Sequence, residues 1–119
     1  MRFGSIEFDG KSYYVTRSLA VDIAMQQAGI DTKKPETFDD TVNMLRFLQA
    51  CMVSGAKYAQ SLGREVLPVP SVDDMALRID PQDLVKLFSE LMQQVMPARN
   101  VMAQPAKKKD DLQEEVSEE

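Results

Sequence analysis

Apolar positions between residues 37 and 63 set the main pattern of this chain. Phe38, Val42, Leu45, Leu48, Met52, Ala56, Ala59 and Leu62 recur every three or four residues, the spacing that stacks side chains on one face of an α-helix. Met44, Phe47 and Cys51 widen the first half of that face, so it needs cover from more than one side. Thr37 followed three residues later by Asp40 has the spacing of a capping box, and Gly63 can take the left-handed conformation that ends a helix. The pattern predicts the longest helix over 37–63, at the centre of the core. Past Cys51 the residues turn small, with Ser54, Gly55, Ala56 and Ala59. Such a face admits another backbone, either in a tight internal crossing or as a docking groove with Gly55 and Ala59 as its contacts.

Shorter patterns flank this stretch. Residues 3–8 alternate loosely, Tyr13, Tyr14 and Val15 follow, and Asp9-Gly10-Lys11 lies between. Asp-Gly between apolar runs is a strong hairpin signal, because a tight turn needs positive φ at its centre. A hairpin over 3–15 is marginal alone in water. It must pack on helices or join a larger sheet across a subunit boundary. Thr16 or Ser18 then caps a helix to Ala28, with Leu19, Ile23, Ala20, Ala24 and Ala28 expected on its inner face, and Gly29-Ile30 as a Schellman-type stop. Lys33-Lys34-Pro35 reads as a polar connection and Pro68 with Pro70 as an extended linker. Ser71 with Asp74 opens a short helix to Arg78. Asp80-Pro81 opens another, on which Leu84, Leu87, Phe88, Leu91, Met92 and Val95 repeat before Pro97. The fold class is mainly α (α+β): a small N-terminal β-hairpin followed by a compact bundle of about four helices, in one domain over 1–97. Residues 98–119 are poor in apolar side chains and rich in lysine and acids, a composition that predicts a disordered tail.

Composition narrows the chemistry. The 119 residues suit one modest core, and the formal net charge of −5 lacks the basic footprint of a nucleic-acid binder. No stretch has the length of a membrane span, and the N-terminus has no apolar signal region. Nucleic acid and membrane are therefore not expected partners, and a soluble, cytoplasmic protein is. Histidine is absent and cysteine occurs once. The commonest general base, the commonest metal ligand and zinc-type clusters are all missing from this inventory. No catalytic residue, metal site or cofactor is expected, and Cys51 reads as a buried, inert thiol. The acid pairs Asp39-Asp40, Asp73-Asp74 and Asp80/Asp83 stand at helix starts, where carboxylates satisfy free N–H groups. Tyr13 and Tyr14 near Arg17 read as hairpin packing rather than a base-stacking surface. Methionine is frequent, 8 residues in all, and it either fills gaps in a small core or supplies adaptable surface for varied helices. Leu91, Met92, Val95 and Met96, at a helix end beside the charged tail, are the candidate partner-binding surface on this reading.

The order of elements, with "FDGKSYYV", the "AGID" helix stop, a long central helix and "SVDDMALRIDPQDLVKLFSELMQQV" before a charged tail, resembles the tail assembly chaperones of long-tailed bacteriophages. The resemblance spans about residues 6–95. It implies a small non-enzymatic protein of the host cytoplasm, absent from the mature virion, that binds the tape measure protein and keeps it soluble. The tail tube protein is a further implied partner, and the hairpin reading above leaves a second copy of the chain as another candidate. It also implies a longer product made by ribosomal frameshifting, for which codons of Lys107, Lys108 and Lys109 are the candidate slip site. The alternative is another helical adaptor, a secretion-type chaperone or a minor structural component of a phage particle.

Overall fold

A computed structural model describes residues 3–96. The expected tail over 98–119, the Pro97 stop and the lysine run all lie outside the described residues. Strand β1 (Phe3–Phe8) pairs antiparallel with β2 (Lys11–Thr16), from Phe3 opposite Thr16 to Phe8 opposite Lys11. Asp9 and Gly10 make the two-residue turn at φ of 53° and 76°, the pair of positive values that matches the twist of the flanking strands. Helices α1 (Leu19–Gln27), α2 (Thr41–Ser61), α3 (Val72–Arg78) and α4 (Pro81–Val95) follow, with a 3-10 turn over Pro35–Asp39.

Helix α2 is the hub, touching β2, α1, α3, α4 and the 3-10 turn. Leu45, Phe47, Leu48, Cys51 and Met52 are its buried centre, closed by Ile6, Phe8, Tyr13 and Val15 of the hairpin and by Leu84, Leu87, Leu91 and Val95 of α4. Phe38, Phe47 and Phe88 stack edge-on or tilted with centroids 5.1 to 5.9 Å apart, near the optimum for aromatic pairs. Of the two expectations for the hairpin, packing on helices is the one realised. The outward N–H of Ser5 donates to Gln94 Oε1 of α4 at 2.7 Å. On the other edge the Tyr14 carbonyl lies against Gly55 of α2. Both free strand edges are thus covered by helices, which removes a site of edge-to-edge association.

The caps follow the sequence at α3 and α4. Ser71 Oγ accepts from Asp74 N–H, and Asp80 Oδ1 accepts from Asp83 N–H. Both expected glycine stops form. Ile30 N–H reaches Met25 C=O, and Arg64 N–H reaches Ala59 C=O.

Three expectations are corrected. The central helix starts at Thr41 and not Thr37. Asp40 caps it by accepting from Val42 N–H, while the Thr37 hydroxyl donates to the Asp31 carbonyl. Pro35 opens a 3-10 turn that ends at Asp39, so Phe38 enters the core from outside the helix. Val42 and Leu62, at the two ends of the predicted stripe, are exposed. Helix α1 is turned over: Val21 and Met25 are buried, whereas Leu19, Ile23, Ala20, Ala24 and Ala28 face solvent. Six of the seven residues from Leu19 to Met25 are apolar, so periodicity left the inner face undecided and packing on α2 chose it.

Candidate partner-binding surface

The surface expected at the end of α4 is not a surface. Leu91 is 0% and Val95 3% exposed, because they continue the inward stripe begun by Leu84 and Leu87. Met92 and Met96 are half-buried against the same core. Gly55 and Ala59 are buried as well. A Cβ on Gly55 would meet Tyr14 O at 2.3 Å, so the small residues of α2 serve the tight internal crossing and not a docking groove. Beside that crossing a chain of hydroxyls ties the elements together. Ser54 Oγ is 2.6 Å from both Thr16 Oγ1 and Ser18 Oγ. Methionine fills gaps here: Met25, Met52 and Met75 are all but fully enclosed.

What the described residues leave uncovered is the outer face of α1. Leu19 is 73% and Ile23 46% exposed. They stand four residues apart, on the side opposite Val21 and Met25. Ala20 and Ala24 extend the patch, and Gln26 and Gln27 continue it without charge. One flank opens into a groove of about 690 Å³ between α1 and the following loop, lined by Arg17, Leu19, Asp22, Gln26, Ile30 and Lys33 among others. Arg17 governs the electrostatics there. Its Nη2 donates to Asp22 Oδ1 at 2.6 Å, its Nη1 lies 3.3 Å from Met96 Sδ, and its plane sits over the Phe47 ring at 5.2 Å. The pair neutralises the one acid of α1, leaving an apolar ridge. Sequence reasoning missed this site because it assigned Leu19 and Ile23 to the core. Other large apolar side chains are exposed, Leu77 of α3 at 86% among them. On α1 two of them, Leu19 and Ile23, stand one helical turn apart, with Ala20 between them and Ala24 beside.

The chemistry of the remaining groups is quiet. Burial pushes the Cys51 thiol from its ordinary 9.0 up to about 12, with Arg17 lowering and Asp22 raising it as smaller influences. That keeps it protonated and poorly nucleophilic. Among the described residues no group of three or more acids or cysteines is arranged to hold a metal ion, and no helix is long and apolar enough to cross a membrane. A second aromatic group, Phe3 stacked on Tyr14 at 5.1 Å and edge-on to Tyr58, lies under the Arg64 guanidinium on the outer side of the hairpin. Tyr13 packs inward against Phe8. In comparisons with known proteins, no family, no curated protein and no solved structure matches this chain.

Proposed function

We propose that this protein is a non-catalytic assembly chaperone of the phage-tail type, whose task is to cover the apolar stripe of the tape measure protein until the tube encloses it. The observation that carries the reading is the uncharged, solvent-facing ridge of Leu19 and Ile23 on a helix whose opposite side is fully engaged. An amphipathic helix laid on such a ridge buries apolar area on both partners, at roughly 25 cal/mol per Å². A single contact of this size is weak, and many copies along one long helical protein would gain by avidity. The resemblance in element order supports the choice of partner, and the lack of histidine and of a reactive thiol is compatible with a binding role.

On this reading a long helical protein is encoded in a neighbouring gene, and the test is co-expression of the two. On this reading that protein stays in the soluble fraction only when the chaperone is present, and the two co-purify. A soluble tape measure protein without the chaperone, or one that sediments with it, would remove the proposal. Co-purification of a different helical partner from the same gene cluster would favour the adaptor reading.

A further inference from the structure

We infer that the cluster of Phe3, Tyr14, Tyr58 and Arg64 is a second docking surface, which takes an acidic side chain of a protein partner on the Arg64 guanidinium. It shares no residue with the ridge on α1 and holds whether or not that ridge binds anything. Local structure assembles it. Phe3 pairs with Thr16 and Tyr14 with Ser5, so Phe3 and Tyr14 are diagonal neighbours on the outer face of the hairpin. Their rings stack at 5.1 Å and 10°. The close seating of β2 on Gly55 brings Tyr58, one helical turn further along α2, edge-on to Phe3 at 5.2 Å. Gly63, at φ of 80°, then ends the helix, and the Arg64 N–H bonds the Ala59 carbonyl. That turn sends the Arg64 side chain back over the hairpin, 5.2 Å from the Phe3 ring and 5.7 Å from the Tyr14 ring.

Both distances are inside the range of about 6 Å in which a ring attracts a cation. The rings hold the guanidinium without consuming its hydrogen-bond donors. Among the described residues the Arg64 side chain has no ion pair and no hydrogen bond, whereas Arg17 holds Asp22 and Arg78 holds Asp74. Arg64 is thus an oriented, unspent fork, of the geometry that binds a carboxylate through two parallel bonds. The charged described residues next to the cluster in sequence are Lys57 and Glu65. They are opposite in sign and offset each other, so the Arg64 charge remains. Glu65 lines a cavity of about 370 Å³ between the hairpin and residues 66–69, and makes no ion pair with Arg64 among the described residues. Tyr58 is 37% and Leu62 52% exposed, one turn apart on α2, so apolar surface lies beside the cation. Aromatic residues and arginine are enriched at the centres of protein interfaces. The fitting partner therefore presents a carboxylate beside apolar side chains. The net charge of −5 disfavours a polyanion such as nucleic acid.

Isotope-labelled full-length protein tests this by nuclear magnetic resonance titration. The probe is an acetylated peptide of leucine and glutamate, and its control has glutamine in place of each glutamate. The expected result is a shift of the Arg64 Nε–H signal and of the Phe3, Tyr14 and Tyr58 amides with the glutamate peptide. Glutamine in the peptide, or Arg64→Gln in the protein, should weaken binding by about tenfold or more, the loss of one charge-assisted pair. Glu65→Gln should tighten it, since a like charge is removed. The Tm of each variant checks that it is folded. Absence of shifts at the cluster would overturn the inference. So would equal binding of the glutamine peptide, undiminished binding by Arg64→Gln, or weaker binding by Glu65→Gln. Tighter binding of oligothymidylate at the cluster would make it a nucleic-acid surface, and the inference fails.

Discussion

Gly55→Ala is the perturbation with the clearest physical consequence. At an open helical position the change would stabilise by about 1 kcal/mol, because alanine loses less backbone entropy than glycine. Here the new Cβ would sit 2.3 Å from Tyr14 O, 2.4 Å from Tyr14 C and 2.5 Å from Val15 N, where ordinary contact begins at 3.4 Å. All three are backbone atoms of β2, so no side chain can swing aside. The strand and α2 must separate by about 1 Å, an overpacking that costs roughly 1–3 kcal/mol. The same separation stretches the hydroxyl contacts of Ser54 to Thr16 and Ser18, both at 2.6 Å, and a buried hydrogen bond contributes about 1 kcal/mol. After the propensity gain, a net loss of about 2–4 kcal/mol is expected, or a Tm lowered by roughly 10–20 °C for a body of this size. Denaturant unfolding followed by far-ultraviolet circular dichroism measures it, with exposed Gln60→Ala as a control for helix propensity. A Gly55→Ala protein as stable as the parent, or more so, would refute the seating of β2 on α2.

Other consequences are as direct. Leu91→Ala should cost about 2–5 kcal/mol, whereas Leu19→Ala should change stability by less than about 0.5 kcal/mol, and urea midpoints that reverse this order would mean the faces are misassigned. Gln94→Ala removes the acceptor of Ser5 N–H and should cost about 1 kcal/mol, seen as faster amide exchange at Ser5; unchanged exchange would contradict that bond. Cys51 should resist alkylation at pH 8 until the protein unfolds. Its folded pKa of about 12 stands above the ordinary 9.0, so the folded state holds the proton more tightly. Its stabilising effect is complete below pH 9 and fades as the pH rises from 9 towards 12. Cys51→Ala should flatten that part of the stability profile, and an unaltered alkaline slope would count against the burial argument.

Local signals made much of the architecture legible. Asp9-Gly10 marked the hairpin, Ser71 and Asp80 marked two helix starts, and the spacing of Leu84, Leu87, Leu91 and Val95 marked the inner face of α4. Gly55 was readable as a close approach, though only the packing shows that its neighbour is Tyr14 of the same chain. The exposed ridge on α1 was not legible, for two physical reasons. The segment from Leu19 to Met25 is apolar on nearly every side, so the buried face depends on where α2 lies. The end of α4 looked available because it borders a charged segment, yet the hairpin needs that same end to cover β1 through Gln94. Position in the sequence says little about burial when the cover comes from residues some ninety positions away.

The ridge on α1 is the centre of the account, and one binding measurement addresses it. Full-length protein carrying Leu19→Asp or Ile23→Asp is compared with the double variant and with Leu77→Asp, which places one charge on a still more exposed side chain of α3. Each is co-expressed with the proposed partner, a tape measure protein, and the amount of it retained on the tagged chain is read, with Tm as the check on folding. A charge set into an apolar contact is strongly unfavourable. The account predicts that the α1 double variant keeps its Tm and loses the partner, while Leu77→Asp retains both. Full retention by the folded α1 variant would contradict it.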